Sequence, residues 1–421
     1  MSVQVDELLR DADPFRKQLV VSLDRGLPFG SFATDQTRLR RLPRLDSAVM
    51  RQAVPREWVA EYDERLSAAG HEGSAMPRLA SLRDYYSGRA VLVTGGASFI
   101  GSHLVELLVA AGAVVRVADD LSSGRLDHLD AVRTSIAFDR GDLRDPTFAR
   151  ASVAGSRVVF HLAAAHGGRG YIDTHPVECL NNISLDHAVF SAAAQAGVQK
   201  VVFASSACVY PTQLQASDQD RQLLRETDAG FEGGETSPDG EYGWAKLTGE
   251  LQLRAFHRQH GMSGVACRIF TSYGERENET HAVIALIAKA VARLDPFPIW
   301  GNGLQTRNFT YVHDTAVGLA LAGAYLNGFT TLNVGSPRHH TILELADEIF
   351  EHVGWRPQRI GHELDRPVGV RSRAADVTRS EAQLGWSPIV SLRDGVERTV
   401  QWYAKRATAR AGDLTRALME R

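Results

Sequence analysis

The sequence predicts an α/β fold: a doubly wound parallel sheet with a smaller C-terminal α/β lobe and a mainly helical N-terminal extension. Three observations carry this. Short apolar runs alternate with helical stretches from Ala90 onward. The first run closes on a glycine turn that opens a helix. From about Glu275 the elements shorten and Gly, Pro and Asn turns multiply. Strand–helix alternation of this kind builds a parallel sheet covered on both faces, with ligands beyond the carboxyl ends of its strands.

At 421 residues, two or three structural units are expected. The divisions read as 1–88, a helical extension; 89–274, a dinucleotide-binding domain; 275–405, mainly a substrate lobe; and 406–421, a helical tail. With 44% apolar and 23% charged residues the chain is neither disordered nor fibrous. A formal charge of −3 gives no reason to expect a nucleic-acid or membrane partner. No apolar run is long enough to span a bilayer, and Met1–Arg10 lacks a signal-peptide core. Cys179, Cys208 and Cys267 are too scattered for a disulfide framework or a zinc site, so no metal and a cytoplasmic location are expected. In the extension, Trp58, Val59, Tyr62 and Leu66 recur at helical spacing. The cluster Arg38, Arg40, Arg41 and Arg44 reads as a solvated face, or else as a contact with a second subunit or substrate phosphates.

The expected strands are Ala90–Thr94, Val114–Ala118, Ser135–Phe138, Val158–Leu162, Lys200–Ala204 and Gly264–Arg268. After the first comes Gly95-Gly96-Ala97-Ser98-Phe99-Ile100-Gly101. Gly95 permits the tight turn and Gly101 close helix–strand packing, while the helix start offers free N–H groups to a pyrophosphate. This is a Rossmann-type turn with Ser98 where a middle glycine is expected. Asp119 ends the second strand at the distance where a carboxylate meets the adenosine ribose and repels a 2′-phosphate, favouring NAD over NADP. Asp142, followed by Leu143, ends the third and could meet the adenine amino group. Leu162 and Ala163 end the fourth, where small residues let a cofactor lie against the sheet edge.

Glu241-Tyr242-Gly243-Trp244-Ala245-Lys246 opens a helix to about Gln259. Tyr242 and Lys246, four apart, share a face. The ammonium is expected to lower the phenol pKa, and Ser206, at the end of the fifth strand, to hydrogen-bond the tyrosine and a sugar hydroxyl. Cys208, two residues on, is expected to point the same way along an extended strand and to act as an acid/base, although taken alone it reads rather as a small buried hydrophobe.

These residues together resemble the extended short-chain dehydrogenases that act on sugar nucleotides, over Ala90–Tyr403. The resemblance implies that Tyr242 takes a proton from a sugar hydroxyl, usually at carbon 4, while hydride passes to NAD and a transient ketone forms. Ser205-Ser206-Ala207-Cys208-Val209-Tyr210-Pro211 is similar to GDP-mannose 3,5-epimerases and, less closely, to GDP-fucose synthases. In the epimerases the pair corresponding to Gly167-Gly168 lines the sugar pocket. The stretch corresponding to Gly301–Arg307 contacts the nucleotide, which brings in Gln305 and Arg307. Thr271, Arg371 and Arg373 complete the implied substrate set. The epimerases carry a lysine as second acid/base; counting back from Ala288-Lys289-Ala290, its place falls on His281, and GDP-fucose synthases use a histidine in a similar segment. The resemblance implies an NAD-dependent epimerase of a GDP-sugar, inverting carbon 3, carbon 5 or both, and a homodimer. Inversion at carbon 4 alone, a bifunctional epimerase–reductase and a non-catalytic binding protein stay open as alternatives.

Overall fold

The computed structural model describes residues 79–231 and 236–419. The arginine cluster and the helical patches before residue 79 lie outside them. Seven parallel strands form the central sheet. β1 is Ala90–Thr94, β2 Val114–Asp119, β3 Ile136–Arg140, β4 Val158–His161, β5 Lys200–Ser206 and β6 Ser263–Ile269. The seventh strand, Phe329–Val334, comes from the part of the sequence assigned to the substrate lobe. It pairs with β6 in parallel register, Phe329 opposite Gly264 through Val334 opposite Ile269. The order is Phe329–Val334, β6, β5, β4, β1, β2, β3, so the chain reverses direction across the sheet between β1 and β4. That switch point opens a crevice at the carboxyl ends.

The strands are runs such as Val91-Leu92-Val93 and Val201-Val202-Phe203, buried throughout because helices cover both faces. One core layer packs the helix Phe99–Ala110 and the helix Val312–Tyr325 on β1, β2 and β4. The other packs the helix Asn182–Gln195 and part of the helix Gly240–His260 on the opposite face. The latter ends where Gly261 takes a left-handed conformation, φ 69°.

The second lobe has its own core, built from the helices Ala282–Val291 and Ile342–Val353 and the start of the helix Leu392–Met419. This last helix is continuous from Leu392 to Met419, so residues 406–419 of the expected tail are its end. Part of the segment after Gln213, residues 224–229, is tied down. Leu224 N–H donates to Ala374 O at 3.0 Å, and buried Arg268 donates to the carbonyls of Glu226 (2.8 Å) and Ala229 (3.0 Å). No helix among the described residues is long and apolar enough to cross a membrane.

Candidate active site

β1 delivers the chain into the glycine turn with Gly95 at φ +66°. A Cβ on Gly95 would stand 2.8 Å from Ala163 N, and one on Gly101 would stand 2.1 Å from Gly95 O. Both glycines are therefore required by close backbone approach. Ser98, at the start of the helix Phe99–Ala110, turns its hydroxyl back onto Gly95 O at 2.6 Å. It replaces the missing glycine by bracing the turn, and Ser98, Phe99, Ile100 and Gly101 line the crevice with Leu162 and Ala164. Asp119 sits at the end of β2, where its carboxylate accepts from Ala97 N–H (2.9 Å) and Leu121 N–H (2.8 Å). Burial raises its pKa against those two amides. Gly124 leaves space beside it, since a Cβ there would lie 2.8 Å from Asp119 Oδ1. A cradle of amides, a side-chain-free approach and a strand-end carboxylate are what a dinucleotide needs, and the residues present fit NAD.

The crevice continues to the other expected residues. Ser206 ends β5 close to Tyr242, and both line the cleft. Lys246 is buried beneath, its Nζ 4.7 Å from the Phe203 ring centroid and 5.8 Å from that of Tyr242. The tyrosine pKa is raised here, where the sequence-based expectation was a lowering by the lysine. Burial pushes the Tyr242 hydroxyl up, with the nearby acidic groups Cys208 and Asp186 adding to it and Ser206 opposing it. Burial likewise pushes Lys246 down, with Asp186 opposing. Asp186 also meets His161 Nε2 at 3.0 Å, and His161 Nδ1 meets Thr94 Oγ1 at 2.8 Å, a buried chain linking β1, β4 and the helix Asn182–Gln195.

Cys208 reaches the cleft by a different route from the one expected. The strand stops at Ser206, and Ala207–Val209 form a 3₁₀ turn in which Cys208 N–H donates to Ser206 Oγ at 3.1 Å. Strand alternation therefore does not apply; the turn presents the thiol. Arg373 Nη1 lies 3.4 Å from Cys208 Sγ. The same guanidinium donates from Nη2 to Asp239 Oδ2 at 2.9 Å, and Arg169 Nη1 donates to Asp239 Oδ1 at 2.7 Å. Burial alone would raise the Asp239 carboxyl; the two guanidiniums, Arg373 foremost, outweigh it and hold the pKa below the usual range. Arg307, also in the cleft, donates to the backbone carbonyls of Thr306 (2.7 Å) and Val368 (2.9 Å). Burial and the neighbouring Arg373 push it down to about 10.

His281 caps the helix Ala282–Val291 on the far wall, its Nδ1 2.9 Å from Glu277 Oε1. His166 faces it, ring centroids 5.8 Å apart. Gly168 allows this wall to close, because a Cβ on it would stand 2.2 Å from Thr280 O. Gly167 and Thr271 line the same cleft.

Arg371 and Gln305 do not line the cleft. Arg371 is half-exposed beside Asp218, 3.9 Å away, just before the two-residue strand Ser372–Arg373, whereas Arg373 lines the cleft. Gln305 is buried, but its amide donates to Trp300 O at 3.0 Å and braces the turn over Gly301 and Gly303 instead of lining the cleft. Asp142 is held bidentate by Arg144, and Leu143 packs in the core below β4. Sequence reasoning missed Arg169, Asp239, Glu277 and His166. Arg169 stood inside the Gly167–Ile172 segment, next to the two glycines singled out. Asp239 and Glu277 stand in turns without a motif.

Residues 91–335 match the NAD dependent epimerase/dehydratase family, more than half of the chain. The chain belongs to this family; it is an enzyme of the epimerase kind and takes NAD as its cofactor. It is 31% identical over 317 residues to GDP-mannose 3,5-epimerase 1 of Oryza sativa subsp. japonica, covering 74% of this chain and 81% of that one. Among solved structures, UDP-glucose 4-epimerase of Thermotoga maritima with UDP-glucose superposes with a TM-score of 0.67 at 28% identity, covering 75% and 99% of the two chains. The dTDP-glucose 4,6-dehydratase of Streptomyces venezuelae, solved with NAD bound, gives 0.68 at 26% identity, covering 75% and 97%.

Proposed function

We propose that this enzyme epimerises a nucleotide-activated sugar in the manner of a GDP-mannose 3,5-epimerase, exchanging protons at carbon 3, carbon 5 or both beside a transient carbon-4 ketone. The observation that carries it is that Cys208 and His281 line the same cleft as Ser206, Tyr242 and Lys246. Tyr242 takes the proton of the carbon-4 hydroxyl, which Ser206 holds in place. NAD, when bound, supplies the hydride acceptor at carbon 4 and returns the hydride at the end. The ketone acidifies the flanking C–H bonds, and inversion then requires an acid/base on each face. Cys208 and His281 come from separate elements, the turn after β5 and the cap of the helix Ala282–Val291. The likeness to the rice GDP-mannose 3,5-epimerase supports the same reading.

Arg307, whose donors meet only backbone carbonyls among the described residues, suits a diphosphate between base and sugar. A GDP-sugar is the substrate in this reading, and a homodimer the assembly. Exposed Val177, Leu180 and Trp244 on adjoining helices favour a second copy there.

The test is incubation of the NAD-loaded enzyme with GDP-mannose in deuterated water. Deuterium at carbon 3 or 5 of recovered sugar is the expected result. A product inverted at carbon 4 alone, without solvent deuterium, refutes the reading. That result would instead favour carbon-4 epimerisation, the activity named for the Thermotoga maritima neighbour.

A further inference from the structure

Glu277 is one of the titratable groups of the cleft to which the chemistry above gives no part. Glu277 lies in the turn before the helix Ala282–Val291, with its side chain 3% exposed. Its Oε1 meets His281 Nδ1 at 2.9 Å. The turn is fixed locally: Asn278 Oδ1 accepts from Thr280 N–H at 2.9 Å, and Asn278 O accepts from His281 N–H at 3.0 Å. The outer atoms of the pair, His281 Nε2 and Glu277 Oε2, are both buried and without a hydrogen-bond partner among the described residues. Both residues line the cleft with Tyr242 and Lys246. Each buried polar atom left unpaired costs about 1–3 kcal/mol, so such a pair is expected where a ligand completes it.

We propose that Glu277 is a positioning residue for His281: it accepts the Nδ1 proton and so leaves Nε2 as the atom that exchanges protons with the sugar. This rests on the reading of His281 as one of the two acid/base groups. An ionised carboxylate has only acceptors, so the shared proton belongs to Nδ1 and the Nε2 lone pair is free. In the forward step the C–H bond beside the ketone breaks, its electron pair passes into the enolate, and the proton forms a new bond to Nε2. The imidazolium so formed keeps its Nδ1–H, which still donates to the carboxylate, and the reverse transfer returns the proton from Nε2. Burial pushes the Glu277 carboxyl up, opposed by the hydrogen bond from His281. The other titratable or charged groups around His281 are His166 from the loop after β4 and Lys246 from the helix Gly240–His260, with Cys208, Arg307 and Arg373 also lining the cleft.

The test compares the NAD-loaded wild type with Glu277→Gln, Glu277→Asp and His281→Asn, following deuterium entry from solvent into GDP-mannose. Glu277→Gln is expected to lower kcat roughly 10- to 100-fold with KM within about threefold, and Glu277→Asp to recover part of the loss. The acidic limb of kcat against pH should move to lower pH in Glu277→Gln, since the carboxylate no longer favours the imidazolium. Nitrogen-15 NMR of histidine-labelled wild type should show His281 with its proton on Nδ1 and a bare Nε2. Unchanged kcat and pH profile in Glu277→Gln, with exchange abolished in His281→Asn, overturns the proposal while leaving His281 as acid/base. Normal exchange in His281→Asn overturns both. A resting proton on Nε2 overturns the proposal without recourse to any variant.

Discussion

Asp239 Oδ2 accepts from Arg373 Nη2 at 2.9 Å, and the other end of that guanidinium lies 3.4 Å from Cys208 Sγ. The carboxylate thus holds in place the cation that faces the thiol, and Arg169 closes the group from the opposite side.

Replacing Asp239 by Asn should destabilise the protein by about 3 kcal/mol at neutral pH, because two guanidiniums lose their shared carboxylate in a mostly buried site. The sign with pH follows from the direction of the shift. The Asp239 pKa is lowered on folding, so its contribution is fully present above the unfolded carboxylate value of about 4 and fades as pH falls through the folded value. Urea unfolding at a series of pH values should show the gap between wild type and variant narrowing below about pH 4. Equal midpoints at pH 7 would contradict this account.

Tyr242→Phe removes the hydroxyl beside Ser206 in the cleft, and should reduce kcat by about 10²- to 10⁴-fold. The ring stays, so bound NAD measured by absorbance after purification should match the wild type. Because burial raises the Tyr242 pKa, activity should climb with pH before any loss of fold, and that alkaline gain should vanish in the variant. A variant that turns over normally would remove Tyr242 from the chemistry.

Gly101→Ala places a methyl 2.1 Å from Gly95 O, a backbone atom that cannot rotate aside. The turn must open, and the amides at the helix start lose their aim. We expect NAD content to fall by about tenfold or more, with the seven-stranded sheet intact by circular dichroism. Full NAD occupancy in the variant would show that the turn is not the phosphate cradle.

The sheet was legible in the sequence because its strands are continuous apolar runs: β1 matches its expected bounds, and the others differ by a few residues at their ends. The seventh strand was not, because Phe329–Val334 carries Thr330, Thr331 and Asn333 and is separated from β6 by part of the second lobe. Ser206, Tyr242, Lys246 and Cys208 could be found since motif spacing fixes them on adjoining elements. Arg371 and Arg373 could not be told apart, as the strand that holds Arg373 is only two residues long and Arg371 lies outside it. Asp239 and Glu277 act through partners more than one hundred residues away or through an irregular turn, and neither leaves a periodic trace.

Gly168→Ala tests whether the far wall of the cleft governs proton exchange separately from oxidation. The new Cβ would lie 2.2 Å from Thr280 O, so the peptide between Thr280 and His281 must move. Tyr242 and Lys246 lie on the helix Gly240–His260, outside that contact. A displacement of about 1 Å at a reacting group can cost about 100-fold, so deuterium entry from solvent should fall by at least about tenfold. Transient reduction of bound NAD by substrate, followed by absorbance, should stay within about threefold of wild type, since the groups at carbon 4 are undisturbed. Parallel loss of both signals would mean that the Gly168–Thr280 contact holds the whole cleft together, and the division of labour between the two walls would have to be abandoned.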